Sequence, residues 1–565
     1  MKILSLHCDY IKFQAKKKAL KDVEEVSDKE IEVKECIVIL TAVEKKDEKN
    51  IEEISKRLVN EIKDIEKQVG SKNIVLYPYA HLSSNLANPQ KALEILKTTE
   101  KLLSKDFKVT RAPFGYYKSF EIRCKGHPLS ELSREFSVSS ESKTEEQYDS
   151  KQLLNEISKT KLSKENLKEN DHRIIGQQLG LFSFSEVAPG MVFWHPKGLI
   201  IRNELVDFWR DEHEKADYQE ILTPLILDKK LWQISGHWDK YKENIFLTEY
   251  DKRIFAVKPM NCPGGILVYK SGLKSYKDLP LRMSELGMCH RQELSGVLGG
   301  LFRVIQFTQD DAHIYCIEDQ LEDEIVKIMN LIEKIYSIFG FKYTLELSTR
   351  PEKRIGSDEM WNKAESSLED VLKKKKIKYK LNKGDGAFYG PKVDFHIKDS
   401  LERTWQCGTI QVDFSMPERF DITYEGKDGK KHRPVMLHRA IYGSLERFIA
   451  IIIENFNGKL PLWLNPNQVK IVTVNERNNE FGIKILNKLK NEKIRVELDD
   501  RNETINKKIK EAQLDKFNFI ITIGDKEQEK NKLAIRNREG KVKFDVNTED
   551  FVKELKEKIK TREIN

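Results

Sequence analysis

The sequence predicts a multidomain chain of α/β and α+β units, with an α/β domain at either end of a larger, strand-rich centre. Three observations carry this expectation. At 565 residues the chain is too long for one hydrophobic core, since a domain usually takes roughly 100–200 residues. The first 140 residues and the last hundred alternate strand-like with helix-like runs, whereas the centre strings strand-like runs together. From Ser139 to Asn170 the composition shifts to Ser, Lys, Glu and Asn with few bulky apolar residues, as in a linker or in surface helices. The expected limits are 1–140, a linker at 141–193, a central domain at 194–465 and a last domain at 466–565.

In order, "MKILSLHC" and "ECIVILTAVE" read as strands, "NIEEISKRLVNEIKDIEKQVG" as an amphipathic helix and "NIVLYPYAHLSS" as a strand. A helix from about Pro89 and the strand-like "FKVTRAPFGYYKSFEIRC" complete the first unit. The second begins near "VAPGMVFWHPKG" with the helix "LIIRNELVDFWRDEHEKAD", then "YQEILTPLIL", whose Pro224 suits a strand edge. The last hundred residues return to alternation: "VKIVTVN", a helix, "IRVELDD", a helix through "ETINKKIKEAQL", "FNFIITIGD", "KLAIRN" and a closing helix. The run "LKKKKIKYK" at 372–380 reads as a solvated helix end.

Composition narrows the function classes. With 39% hydrophobic and 34% charged residues, and no run near the roughly 20 apolar residues that span a bilayer, a soluble protein without membrane partners is expected. "MKILSLHCDY" makes a poor signal peptide, and the seven scattered cysteines include no C-x-x-C, so a reducing, cytoplasmic setting is expected. The net charge is +8, and residues 466–565 hold 24 Lys and Arg against 19 Asp and Glu. That surplus permits a polyanionic partner without requiring one.

The chemistry concentrates in the centre. In "RVIQFTQDDAHIYC", residues 303–316, the period of two that a strand imposes puts Phe307, Gln309, Asp311, His313 and Tyr315 on one face. A solvated side of an antiparallel strand would tolerate these groups. Strict alternation of ring, amide, carboxylate and imidazole favours a binding floor instead. A second strand-like run, "LRMSELGMCH", leads into Arg291, Glu293 and the Gly-rich "SGVLGG". Arginine's planar fork suits a triphosphate, and Phe307 offers a face for a base. Downstream, "VMLHRAIYGSLERFIAIII" runs from strand into helix, with Gly443 one turn before Arg447. Either arginine alone reads as a surface ion pair; the combination points to a site. "GDGAFYG", at 384–390, lacks the helix a dinucleotide fingerprint needs, and reads as a tight connection delivering Tyr389 and Lys392.

Here the chain resembles a known family. "HRQE" followed far downstream by "GSLER" is similar to motifs two and three of the class II aminoacyl-tRNA synthetases. "KPMNCPG", "GLKSYKDLPLRM", "FTQDDAHI", "FYGPKVDF", "RTWQCGTIQVDF" and "LHRAIYGSLERF" resemble strings of the threonyl-tRNA synthetase family, a likeness covering nearly the whole chain. The first 140 residues, with "LHCDYI", "YPYAHLSS", "APFGYYKSFEI" and "CKGHPLSELS", resemble the archaeal form of its N-terminal proofreading domain, related in fold to D-aminoacyl-tRNA deacylases. The resemblance implies a deacylase-like editing domain, a class II catalytic core built on an antiparallel sheet and a C-terminal α/β anticodon-binding domain. It implies ATP-dependent attachment of L-threonine to tRNA(Thr) through threonyl-adenylate, with hydrolysis of mischarged seryl-tRNA(Thr) by the N-terminal domain.

Residue by residue, the resemblance implies a zinc site, one ion per subunit, from Cys262, His313 and His438, which lie 51 and 125 residues apart. Taken singly, each reads as a buried thiol or a core imidazole. Arg291 and Arg447 would hold the phosphates of ATP, which Mg²⁺ accompanies, with Glu293 on the adenine amino group, Arg303 nearby and Phe307 stacked on the base. Asp311, Gln309, Tyr389, Gln406 and Gln411 would bind threonine. Gln406 and Gln411 fall on opposite faces of a regular strand, so a bulge at Cys407–Gly408 is expected. His237 in "SGHW" would stand near the terminal ribose of the tRNA. His81, Tyr117, Lys118 and Glu131 would form the editing site, and Asn502, Glu527 and Arg536 would read the anticodon. A homodimer is implied, with "YQEILTPLIL" at the subunit contact.

Two departures stand out. "NCPGG" carries glycine where bacterial members usually have histidine, and "SGVLGG" lacks a histidine often found there; altered loop contacts are expected. A synthetase for another amino acid, a non-enzymatic tRNA-binding relative and a free-standing hydrolase are the rival readings.

Overall fold

The computed structural model describes residues 1–20, 23–27, 29–83, 85–136, 167–399 and 402–564. The chain divides into two compact units, Met1–Tyr148 and Asp149–Asn565.

The first unit is a twisted mixed sheet with helices on one side. Its strands run in the order Lys108–Arg111, Asn73–Pro78, Ile31–Ala42, Lys2–Lys18 and Tyr116–Cys124, with Glu131–Glu135 also paired to the first strand. The run read as one strand around Gly115 is two, since Gly115 turns there with φ +75°. The helices Ile51–Val69 and Pro89–Leu103 bury Ile54, Leu58, Ile62 and Ile95 against one face of the sheet. The other face gathers Phe13, Val38, Leu40, Val75 and Tyr77.

The second unit carries an eight-stranded sheet whose six central strands are antiparallel. Their order is Tyr343–Ser348, Lys392–Lys398, Thr404–Asp413, Val435–Ser444, Gln306–Cys316 and Leu281–His290. The edges are closed by short parallel strands, Tyr379–Asn382 and Gln219–Glu220. Pro224 interrupts "YQEILTPLIL" as its missing N–H requires, leaving a two-residue edge strand before it and Ile226–Asp228 after it. One face of the sheet packs on the helices Pro196–Glu214, Leu321–Ile338, Asp358–Lys374 and Leu445–Asn455, burying Ala312, Ile314 and Cys316. Residues 307, 309, 311 and 313 face the other way, and that face is the floor of the site.

Residues 137–166, which hold about half of the expected linker, lie outside the described residues. The remainder of that stretch corrects the expectation. His172–Gln178 is a helix, Phe182–Ser185 and Ala188–Trp194 form a hairpin, and Ile175, Leu179, Leu181 and Phe182 join the main core. These four apolar side chains follow Asn170, where the polar composition ends, and they anchor the segment.

From Pro466 onward a five-stranded sheet has three parallel strands, Val496–Asp499, Val469–Thr473 and Phe519–Ile523, followed by two antiparallel ones. The helices Asn479–Asn491 and Thr548–Thr561 cover one side and Ile505–Leu514 the other. The lysine run closes the helix Asp358–Lys374 at its C-terminal end, as expected of a solvated terminus.

Candidate active site

Two rungs of the antiparallel sheet build the floor. The first reads Met283, His313, His438, Gln411 and Lys392 across five strands. Two residues along, on the same face, lie Glu285, Asp311, Ala440, Thr409 and Asp394. Strand pairing thus sets the imidazoles of His313 and His438 side by side, with ring centroids 5.1 Å apart. Cys262 opens the helix Cys262–Lys270 above them, and the ligand atoms of the three residues lie within 4.8 Å of one another. Bonds of about 2.0–2.3 Å to a single zinc ion are within small side-chain rotations of that spacing. His438 shares its Nε2 with the Asp413 carboxylate at 2.8 Å, which leaves Nδ1 as its ligand atom. Burial pushes the Cys262 thiol up and the His313 imidazole down, and a cation reverses the first effect by taking the thiolate. Gly265, one turn along the same helix, stands against this ring: a Cβ there would lie 3.3 Å from His313 Nδ1. The glycine departure noted in the sequence therefore lies at the triad itself.

Asp311 is buried beside the triad and accepts a hydrogen bond from Asn261 Nδ2 at 2.9 Å; burial pushes its carboxyl up to about 6. Tyr389 donates to Gln411 Oε1 at 2.9 Å. The strand Thr404–Asp413 contains the required bulge: the ladder with Lys392–Lys398 passes from Gly408 to Gln406 and skips Cys407. As a result Gln406 Nε2 and Thr409 Oγ1 both reach Asp394 Oδ1, at 2.6 and 2.8 Å. Gln406 and Gln411 therefore share a face. Two buried atoms here, Gln309 Oε1 and His237 Nε2, have no hydrogen-bond partner. Buried polar atoms left in this way usually await a ligand or water. His237 holds Ser235 Oγ through Nδ1 at 2.8 Å and stands 6.2 Å from the Tyr389 ring.

The other end of the floor is cationic. Arg291 follows the strand Leu281–His290 and lays its guanidinium 4.9 Å from the centre of the Phe307 ring. Arg447 lies in the first turn of the helix Leu445–Asn455 and donates to the carbonyls of Phe302 and Gln406 at 3.1 and 2.8 Å. Arg303 is paired with Glu293 at 2.9 Å, so both implied residues of the connecting loop are together. Burial, and then Arg303 and Arg291, pull the Arg447 guanidinium below its ordinary value. Gathered cations of this kind suit a polyphosphate.

In the first unit, Tyr77, Tyr79, His81, Tyr117 and Lys118 line a cavity of about 530 Å³. Lys118 donates to the Pro113 and Tyr116 carbonyls at 2.9 and 3.2 Å, and burial draws its ammonium down from 10.5 to about 8. Between those values the unfolded chain holds a proton the folded chain has lost, so folded-state stability rises with pH across the window. The stability advantage of a Lys118→Met variant over the unaltered chain is therefore expected to shrink from pH 8 toward pH 10.5. Thermal melts at either end check this; a gap independent of pH contradicts it. Glu131 requires a correction, since it is exposed and is not among the described residues lining the cavity. It pairs with Leu6 of the first strand, whereas Lys118 of the cavity wall pairs with Ala15, nine residues farther along that strand. A likeness of strings carries no information about that register.

In the last module Asn502 and Glu527 follow the carboxyl ends of two parallel strands, and Glu527 caps its own helix by accepting from Gly524 N–H at 3.0 Å. Arg536 is not brought to that edge: it stands opposite Ile520, on an antiparallel strand. Asn261, Asp394 and Asp413 were missed in the sequence. Period-two parity on Thr404–Asp413, together with the rule that buried carboxylates need partners, would have flagged Asp413.

Residues 1–136 match the family of the archaea-specific editing domain of threonyl-tRNA synthetase. Residues 246–456 match the tRNA synthetase class II core domain (G, H, P, S and T), and residues 468–558 an anticodon binding domain. Threonine--tRNA ligases of Carboxydothermus hydrogenoformans and Acetivibrio thermocellus are 56% and 55% identical over 398 and 399 residues, 70% and 71% of this chain. The chain spans 63% of the length of each. Among solved structures, the RNA binding domain of threonyl-tRNA synthetase from Cryptosporidium parvum Iowa II is 40% identical with a TM-score of 0.67, over 70% of this chain and 99% of that one.

Proposed function

The chain belongs to the threonyl-tRNA synthetase family, and we propose that it joins L-threonine to tRNA(Thr) through threonyl-adenylate, using ATP and Mg²⁺. The observation that carries this reading is the triad Cys262, His313 and His438, gathered on the floor that also holds Asp311, Tyr389 and Gln411. One thiol and two imidazoles form a donor set suited to zinc, and three protein ligands leave coordination positions open. Bound there, zinc would supply a Lewis acid for the amino and hydroxyl groups of threonine. Asp311, fixed by Asn261, is placed to accept the substrate hydroxyl, and Gln309 Oε1 has free capacity for a donor.

Activation is in-line attack of the threonine carboxylate on the α-phosphate, with pyrophosphate leaving. Arg291 and Arg447 neutralise the charge that develops, with Glu293 and Phe307 on the adenine side. In the transfer step a ribose hydroxyl of the tRNA attacks the threonyl carbonyl and AMP departs. His237 Nε2, unpartnered and buried, is the group available to take the hydroxyl proton.

Serine offers the same amine and hydroxyl and lacks one methyl, a difference worth about 10- to 200-fold. The shortfall gives the N-terminal cavity its role, hydrolysis of seryl-tRNA(Thr), with His81, Tyr117 and Lys118 as its polar lining. Asn502 and Glu527, which follow the carboxyl ends of two parallel strands, are assigned to the anticodon. Assembly as a homodimer is supported by exposed apolar residues just after the edge strand Gln219–Glu220: Leu222 is 82% and Ile226 51% accessible. Among the described residues no helix is long and apolar enough to cross a membrane.

Amino-acid-dependent ATP–pyrophosphate exchange across threonine, serine, valine and proline tests the reading. Threonine is expected to lead serine by about 10- to 200-fold, and valine, which leaves the hydroxyl-binding groups unpaired, by about 10⁴-fold. Proline as the preferred substrate, or no exchange with any of the four, would reject it.

A further inference from the structure

The floor strand carries an acid that the chemistry above does not use. Asp310 is fully buried on the face opposite Asp311. Its carboxylate accepts three consecutive backbone N–H groups: Oδ2 takes Ile441 and Tyr442 at 2.9 and 3.0 Å, and Oδ1 takes Gly443 at 2.9 Å. The register shows why. Between the pairs Gln309–Ser444 and Asp311–Ala440, the single residue Asp310 faces three residues, 441–443, of the neighbouring strand. Those three N–H groups have no ladder partner, and a buried backbone donor must find one.

This bulge rests on the other one. Gly443 has φ +78°, and a Cβ there would lie 2.7 Å from the carbonyl oxygen of Cys407, the residue the adjacent ladder skips. Ser444 then caps the helix that begins at Leu445, accepting from the N–H of Arg447 at 3.1 Å. Arg447 in turn donates to the Gln406 carbonyl at 2.8 Å, beside Cys407. A return tie closes the arrangement: the buried carboxylate of Glu446 accepts from the backbone N–H of Thr308 at 2.9 Å. Burial pushes both acids up to about 7, a cost of a kind that functional positions often carry.

We propose that Asp310 is the positioning residue for Arg447: by holding 441–443 out of the ladder, it sets where the helix starts and aims the guanidinium at the phosphates of ATP. This rests on the ATP-using reading of the site. The Arg447 guanidinium bonds the Phe302 and Gln406 carbonyls and not Asp310, so the effect of Asp310 passes through the bulge.

Binding of Mg-ATP to the full chain, measured by calorimetry without amino acid, tests the proposal beside a parallel titration with threonine. Asp310→Asn keeps the shape, but its amide nitrogen meets a backbone N–H, so a bond is lost. The Kd for ATP is expected to rise by about tenfold, the scale of one hydrogen bond to a charged group. The Kd for threonine should move by less than about twofold, the scatter expected of an independent site. Gly443→Ala leaves Asp310 in place and strikes the Cys407 carbonyl, so the same split is expected. The double variant should lose no more ATP affinity than the worse single one. Unchanged ATP affinity in either variant, equal loss for both ligands, or additive losses in the double variant would overturn the proposal. If Asp310→Asn does not fold, the Gly443→Ala result decides it. Because ATP affinity is read without threonine, absent exchange in the unaltered chain would count against the functional reading and leave the positioning claim to its own data.

Discussion

Arg291→Ala is expected to lower threonine-dependent ATP–pyrophosphate exchange by about 10²- to 10³-fold, the usual effect of removing one preorganised charge-stabilising donor. The guanidiniums of Arg291 and Arg303 both act on that of Arg447 at this end of the floor, and among the described residues only Arg303 of the three has an ion-pair partner. Arg291 spends its capacity on the Pro259 carbonyl at 3.1 Å and on the Phe307 ring, neither of which balances its charge. Such a gathering is costly unless an anion joins it. Lysine would restore charge but not the planar fork, so Arg291→Lys should recover only part of the loss. Near-normal exchange in the alanine variant would remove Arg291 from the site.

His313→Ala is expected to abolish tight zinc binding, and with it threonine-dependent exchange, by more than about 10²-fold. The comparison is with changes to groups that hydrogen-bond a metal ligand, which already cost about 10- to 100-fold in metal affinity. Asp413→Asn belongs to that milder class, because the amide oxygen can still accept from the Ser415 and Met416 N–H groups while the bond that fixes His438 is disturbed. The two variants should therefore rank in that order for metal content and for exchange. Full metal content in the His313→Ala protein would show that the ion, if present, is held elsewhere. ATP binding, governed by the arginines, should survive both changes.

The fold was legible wherever local periodicity decides structure. The alternating runs at both ends are strands and helices in the expected order, Pro224 breaks its strand, and the parity conflict between Gln406 and Gln411 marks the bulge at Cys407. The expected linker bound, 193, lies too far along, since the polar composition ends at Asn170 and the apolar residues beyond it, such as Leu181 and Phe182, join the main core. Pairings between distant strands were not legible. Cys262, His313 and His438 came from likeness to a family, since nothing in separations of 51 and 125 residues says that a ladder will set His313 opposite His438. The same blindness misplaced Glu131 relative to the cavity and hid Asp310. In "QDDAH" the first aspartate is the odd one by parity, pointing into a core where only hydrogen bonds can justify it. That inference was available, but its partners, 441–443, lie more than a hundred residues away.

The central claim is that a metal ion held by a thiolate and two imidazoles selects the amino acid by its side-chain hydroxyl. The direct measurement is zinc content and threonine-dependent exchange on the same preparation of the full chain, before chelation, after it, and after zinc is returned. The account predicts one zinc per chain, exchange that falls and recovers in step with it, and no activation of valine at any stage. A chelated, zinc-free chain that still exchanges with threonine at the original rate would contradict it.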